Sequence, residues 1–498
     1  MPVIVHLLYL LLALPLVAAC ISLALRGRAA DWVAGALSLG TAVLALYLVF
    51  SPYVSEEPIG LATLPWMEHA KTPPRDFLFG FLFDYLSALM VFVIAVVGFL
   101  VVLYSADYVG PKNKEHPVTD GKGRYYFWMA LFIASMLGVA TSPNFLQLYI
   151  FWEMTTLCSW ALISYYETDR ALRAGFKALI MTVTGGLALM VAMVILFIKT
   201  GSFSFSAMNM LPPGLRNMLF VLILVAAWAK ASQVPFYTWL PDAMEAPTPV
   251  SAYLHAAAMV KAGVYLVART VSATYGLSLG VGLLTAIMAF ITMFIAVFLF
   301  FFQDDLKRIL ALSTITHLAY ILLGCGLGIL GSDMAFRGGL LHIAAHASGK
   351  GLLFLSVGAL SYFTGHKELS KLSGAGAKYP LISLGFLVGA LTVTGIPPLA
   401  GFWSKFYLLT GALGAGAAGA VFAVLILLES LVAFGFFLWV WQRVFLGRPS
   451  KAVLESRSAS TPMSIALLVL MVLCFIVPLV VLPWINATSI AAVMGGGG

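Results

Sequence analysis

Charge is scarce in this chain. Asp, Glu, Lys and Arg make up 10% of its 498 residues, against roughly 25% in a soluble globular protein. So small a charged fraction cannot clothe a water-facing surface, which excludes a soluble enzyme. Cysteine is sparse too: Cys20, Cys158, Cys325 and Cys474 lie far apart, with no C-x-x-C pair. That excludes a cysteine-ligated iron–sulfur cluster or structural zinc within the chain, and the thiols are expected to be reduced and packed. The stretch Leu16-Val-Ala-Ala-Cys20 is faintly like a lipoprotein cleavage site. The segment before it lacks a basic n-region, so it reads as a first permanent span.

Apolar residues are abundant, at 62%, and come in charge-free runs such as Val91 to Tyr104 and Ala286 to Phe302. A bilayer core about 30 Å thick takes roughly 20 such residues per helix. Runs bounded by Pro, Gly and charges predict an all-α polytopic membrane protein of fourteen helices, from 3–25 to 461–486. They include 125–141, 144–165, 171–198, 216–240, 249–270 and 379–412, with long loops at 51–76 and 105–124. Of the 28 Lys and Arg residues, 17 fall on one side of these spans and 6 on the other. The basic-rich side is expected in the cytoplasm, which puts both termini outside. The same bias accounts for the net charge of +8 without any nucleic acid.

The remaining five basic residues, Lys177, Lys230, Lys261, Lys350 and Lys405, fall inside spans. At 1.5 Å of rise per residue, Lys230, Lys261, Lys350, Glu153, His317 and Glu429 sit about 12 to 21 Å from flanking anchors. Several helices thus place an ionisable group near the midplane, where each costs roughly 2.5–3.5 kcal/mol. Buried ion pairs are weak stabilisers, so a whole row of them is poorly explained by packing. A row of proton sites explains it better. Lysine and histidine titrate, whereas arginine stays charged, and no arginine is among these residues. His342, His346 and Lys350, spaced by four, share one helix face. Without a third ligand or a general-base glutamate, the two histidines are not expected to bind metal.

Two spans carry proline breaks beside a lysine. One reads Lys230-Ala-Ser-Gln-Val-Pro235, and the other Gly395-Ile-Pro397-Pro398 with Lys405 following. Non-helical backbone at this depth survives only where protein buries it or a wet cavity meets it. Interrupted helices in corresponding halves point to an ion site. Residues 125–270 and 277–444 align loosely as two five-helix units, flanked by 1–124 and by 445–498 with its Gly tail. In that alignment Glu153 matches His317, Lys177 matches Lys350, Lys230 matches Lys405, and Lys261 matches Glu429. Five is odd, so the second unit is expected to be inverted relative to the first.

The stretch Leu240-Pro-Asp-Ala-Met-Glu-Ala-Pro-Thr-Pro-Val-Ser-Ala-Tyr-Leu-His255-Ala-Ala-Ala-Met-Val-Lys261 resembles the signature of the antiporter-like subunits of respiratory complex I and the Mrp cation/proton antiporters. Phe151-Trp-Glu153, Asp305-Leu-Lys-Arg308, the His342/His346/Lys350 run and Gly401-Phe-Trp-Ser-Lys405 support it. Together they cover roughly residues 75–410, with wording most like the Mrp A subunit and the distal complex I subunit. The resemblance implies that Glu153 and Lys230 form the coupling pair of a first half-channel and that Lys261 bridges. His317, His342, His346 and Lys350 would connect, and Lys405 would stand on the exit side. Lys177 and His255 join this translocation set, while Glu429 enters on depth alone.

Those relatives carry C-terminal extensions that have no counterpart here. The expectation is therefore a proton- or sodium-translocating subunit of a prokaryotic membrane complex driven by redox chemistry in partner subunits. The alternatives are an Mrp-type Na+/H+ antiporter subunit or, further off, a non-transporting scaffold. No cluster, flavin or quinone motif is present, so no cofactor is expected in this chain.

Overall fold

In the computed structural model, residues 2–51, 54, 59–62, 79–456 and 460–488 are described. Lys71, Arg75 and Arg457, three of the Lys and Arg residues counted by side above, lie outside them, as does the Gly tail. Helices α1 (Pro2–Ala24) and α2 (Gly27–Val49) precede a short antiparallel ribbon of β1 (Ile59–Ala62) and β2 (Phe79–Phe81). Then come α3 (Tyr85–Tyr108), α4 (Lys122–Thr141), α5 (Phe145–Ile163), α6 (Asp169–Thr200) and α7 (Pro213–Lys230). The short α8 (Trp239–Asp242) and the half-helices α9 (Thr248–Ala256) and α10 (Met259–Ala273) lead to α11 (Leu279–Phe300), α12 (Leu306–Ile329) and α13 (Asp333–Thr364). The short α14 (Ala375–Lys378), half-helices α15 (Pro380–Thr394) and α16 (Ala400–Gly414), α17 (Gly416–Phe445), the short α18 (Lys451–Leu454) and α19 (Thr461–Ala487) complete the chain.

Local chemistry sets many of these ends. Asp84, Asn144, Thr168, Ser278, Asp305 and Ser332 each accept a backbone N–H of the first turn that follows, satisfying donors that a helix start leaves free. Gly365 closes α13 at φ 80°, a left-handed position that suits glycine.

Among the described residues, eleven helical segments are long and apolar enough to cross a membrane, α9–α10 counting as one. The other three predicted spans correspond to α4, α5 and the broken α15–α16 pair. Helices α9–α10, α12 and α13 are buried throughout, whereas α1, α2, α6 and α17 bury only 39% of their apolar windows. The outer helices expose Phe176, Ile198, Phe294, Leu431 and Leu479, an apolar surface suited to lipid. The charged row sits mostly on the inner helices, where protein replaces lipid, and Glu429 of the outer helix α17 is buried on its inward side.

The predicted span 216–240 stops early: α7 ends at Lys230, and Ala231–Thr238, with Pro235, is non-helical. Around Pro397 and Pro398 the chain likewise leaves helix between Thr394 and Ala400. Val234–Pro235 and Pro397–Pro398 are cis. The predicted helix 249–270 is corrected to two half-helices interrupted at Ala257–Ala258, where both N–H groups turn back to Tyr253 O. The basic-rich loops share one face, tied by Lys122–Asp31 at 2.8 Å, Lys114 Nζ to Glu455 O at 2.9 Å and Lys378 Nζ to Val453 O at 3.0 Å.

Candidate functional site

The first cluster forms where α7 ends against α5. Lys230 is fully buried; its Nζ donates to Trp152 O at 2.8 Å and Thr156 Oγ1 at 2.6 Å, and lies 4.7 Å from the Trp152 ring centre. Glu153, next along α5, turns its carboxylate toward Gly186 of α6, and its Oε1 is buried without a hydrogen-bond partner. Among the described residues no ion pair joins Glu153 to Lys230, although the two belong to one cluster.

A second, longer network runs through α10, α12, α13, α16 and α17. Lys261 Nζ donates to Ile343 O at 3.1 Å and meets His346 Nδ1 at 2.9 Å. The His346 ring stands 5.4 Å from that of His317, whose Nδ1 is 3.1 Å from His342 Nε2. His342 Nδ1 then meets Ser404 Oγ at 2.8 Å. The neighbouring Lys405 pairs with Glu429 at 3.6 Å and donates to Ser430 Oγ at 2.8 Å. Tyr320 hydrogen-bonds Glu429 and stacks on His317, and Lys405 Nζ sits 4.6 Å above its ring. Lys350 branches off with bonds to Leu310 O, at 3.1 Å, and Ser313 Oγ. His255 is buried on α9 against the Phe354 ring, 4.6 Å away, and neither ring nitrogen has a partner.

Lys177 stands apart from the row. It pairs with Asp242 at 2.7 Å, with side chains 39% and 38% exposed, so although it falls inside the span 171–198 it is not buried with the row. Asp242 also faces Arg308 at 3.6 Å. With Arg170, Arg173 and Glu245 these residues line a cavity of about 300 Å³ open at the basic face. Helix α8, which carries Asp242, follows the break after Lys230. Arg269 is 3% exposed on α10 and forks onto Asp84, with Ser87 Oγ at 2.9 Å and Tyr265 Oη at 2.9 Å. Lys230 ends the helix before its break whereas Lys405 follows its own, so their match is one of neighbourhood, not of position.

The basic face holds one further charged cluster. Glu115, 7% exposed on the loop after α3, lies 3.6 Å from Lys367 and 3.8 Å from His116. Burial pushes its carboxyl up, but the ammonium groups of Lys307 and Lys367 outweigh this and hold it below the usual glutamate range. The loop between α3 and α4 is thereby clipped to α12 and to the end of α13.

Sequence reasoning missed Tyr320, Ser404, Ser430, Thr156, Ser313 and Gln233. These are uncharged near neutral pH, so a search for charge at depth passes over them. Only Ser404, beside Lys405 in the Gly401-Phe-Trp-Ser-Lys405 motif, carried a usable signal. Among the described residues no three His, Cys, Asp or Glu side chains are placed to hold a metal ion.

Buried interrupted helices and a titratable row define an integral membrane protein of antiporter-like architecture. Residues 142–432 match the family described as "NADH:quinone oxidoreductase/Mrp antiporter, TM", and residues 66–116 match "NADH-Ubiquinone oxidoreductase (complex I), chain 5 N-terminus". The chain belongs to the NADH:quinone oxidoreductase/Mrp antiporter family. It is 38% identical over 365 residues to Na(+)/H(+) antiporter subunit A1 of Staphylococcus aureus (strain bovine RF122 / ET3-1), covering 69% of this chain and 43% of the relative. The same subunit of strain JH9 is 37% identical over the same share. The chain thus spans less than half the length of these curated relatives. The Mrp complex from Dietzia sp. DQ12-45-1b aligns with a TM-score of 0.82 at 31% identity, over 98% of this chain and 52% of that one. The archaeal membrane-bound sulfane sulfur reductase aligns with a TM-score of 0.82 at 24% identity, over 98% and 96%, a likeness of fold.

Proposed function

We propose that this chain is the ion-translocating subunit of a multisubunit membrane complex, moving protons along the buried row in exchange for sodium. The observation that carries the reading is the network from Lys261 through His346, His317, His342 and Ser404 to Lys405 and Glu429. Every step but that between Ser404 and Lys405, neighbours on α16, joins groups on different helices, and lysine and histidine both take up and release protons, as a relay requires. Glu153 and Lys230, beneath the cavity at Lys177 and Asp242, load the row from the basic face. Lys261 bridges and Lys350 and His255 flank the path. Lys405 with Glu429 releases protons toward the opposite face. By its charge bias the basic face is the cytoplasmic one, and both termini lie outside.

In the same reading the chain crosses the membrane fourteen times, α4, α5 and α15–α16 included. Residues 125–270 and 277–444 form two units of opposite orientation. In support, α4 starts at the basic face whereas α11 ends there. Sodium/proton exchange is preferred to redox drive because an Na(+)/H(+) antiporter subunit and an Mrp complex are among the relatives above 30% identity. The likeness to the sulfur reductase supports the fold only.

The test uses the intact complex in sealed vesicles. An imposed sodium gradient, with no electron donor or acceptor, is expected to move protons. Silence until a reductant is supplied would replace exchange by redox drive. Normal pumping by both Glu153→Ala and Lys230→Ala would remove the translocation reading altogether.

A further inference from the structure

Between the cluster at Lys230 and the network that starts at Lys261, no hydrogen bond or ion pair among the described residues makes the join. Gln233 lies in the unwound turn that follows α7, which packs against both α10 and α12. Its side chain is buried. Nε2 donates to Ala231 O at 2.9 Å and, across to α12, to Ile315 O at 3.3 Å. Ile315 is two residues before His317 on the same helix. Oε1 is buried with no hydrogen-bond partner. An unpaired buried amide oxygen is unfavourable, and in proteins a water commonly satisfies such a group.

Three further features converge on this turn. Helix α10 lies directly on it: a Cβ at Gly263 would stand 2.7 Å from Ala227 O and 2.9 Å from Ala231 N. Lys261 is two residues earlier on that helix. Ser232, buried and not glycine, is held at φ 53°, a left-handed conformation that such residues seldom adopt. Backbone strain of this kind gathers at functional sites. On the remaining side, Val234 N donates to Thr292 Oγ1 of α11 at 3.2 Å. The titratable groups on the elements around Gln233 are Arg216 and Lys230 on α7, Lys261, Tyr265 and Arg269 on α10, and Lys307, Arg308, His317, Tyr320 and Cys325 on α12, while α11 contributes only the Thr292 hydroxyl.

We propose that Gln233 is the positioning residue that joins the two halves of the row, its free Oε1 accepting from water that links Lys230 to Lys261 and His317 while Nε2 fixes the amide against α12. This inference rests on the translocation reading above. A residue serving only to close the turn would need its bond to Ala231 O and nothing more.

The experiment compares Gln233→Leu and Gln233→Glu in the intact complex, with assembly followed on native gels and proton movement followed in sealed vesicles across a pH series. Glu153→Gln and Lys230→Ala serve as benchmarks. Gln233→Leu keeps the bulk and the backbone bonds but removes every side-chain hydrogen bond, and is expected to slow proton movement by about tenfold or more with the complex assembled. Gln233→Glu keeps an acceptor and is expected to transport with a displaced pH profile, because the new carboxyl titrates where the amide does not. Should Gln233→Leu fail to assemble, the pH profile of Gln233→Glu decides alone. Wild-type rate in Gln233→Leu, or an unmoved profile in Gln233→Glu, while the benchmarks are silent would overturn the role of Gln233 and leave the translocation reading standing. Normal transport in both benchmarks would remove the translocation reading and this inference with it.

Discussion

The Lys405–Glu429 pair allows packing and transport to be separated. Its side chains are 5% and 8% exposed and 3.6 Å apart, an attraction of about 4 to 5 kcal/mol at an effective dielectric constant near 20. Desolvation of both ions offsets most of that gain. Removing one partner leaves the other charge buried. Lys405 alone would keep hydrogen bonds only to Thr394 O at 3.3 Å and Ser430 Oγ at 2.8 Å, besides the Tyr320 ring beneath it. Lys405→Met or Glu429→Leu by itself is therefore expected to destabilise by about 3 to 5 kcal/mol. The double variant Lys405→Met/Glu429→Leu leaves no buried charge. Tyr320 Oη retains Ser430 Oγ at 3.1 Å and Ile426 O at 3.3 Å, so the double variant should lie within about 1 kcal/mol of the wild type. Stability would be followed as thermal unfolding of the purified complex, and transport by a pH-sensitive dye in vesicles. All three variants should lose proton movement, with the double variant alone as stable as the wild type. Wild-type transport by the double variant would show the pair to be a packing device, and single variants no less stable than the double would refute the energetic argument.

Gly186→Ala places a methyl group against the Glu153 carboxylate, the movable end of a flexible side chain. Stability should change by less than about 1 kcal/mol while proton movement falls; an unchanged rate would mean that the position of this carboxylate does not matter. Glu153→Gln should abolish sodium-driven proton movement with the complex assembled, because the amide keeps the shape but cannot take up the proton; transport at the wild-type rate would count against the loading role. Acid should release the loop between α3 and α4. The Glu115 carboxyl is held below its ordinary value, so its contribution is present above that value and is lost as pH falls below about 4.5. Asp84 is also held low, by Arg269 against the effect of its burial, and shifts stability in the same direction. Pepsin cleavage between residues 109 and 121 at decreasing pH would report the release, and resistance well below that value would show that the charges do not hold the loop.

Composition and local pattern, by themselves, determined that this protein is a bundle of membrane helices with titratable groups at depth and proline breaks near Pro235 and Pro397. These features depend on hydropathy along the chain, on helix rise per residue and on a missing N–H, all of which act within a few residues. The partners of each group were decided by tertiary structure. Lys261 meets His346 across 85 positions, and Tyr320 meets Glu429 across 109, through helix crossings that no local rule encodes. The break at Ala257–Ala258 falls in a run of alanine, a strong helix former, so only the packing of α9 and α10 against α13, α12 and the turn after α7 reveals it. Lys177 shows the converse. Residue counting measures distance along a helix, but it is Asp242 and the open cavity beside it that hold this lysine at the mouth and outside the row.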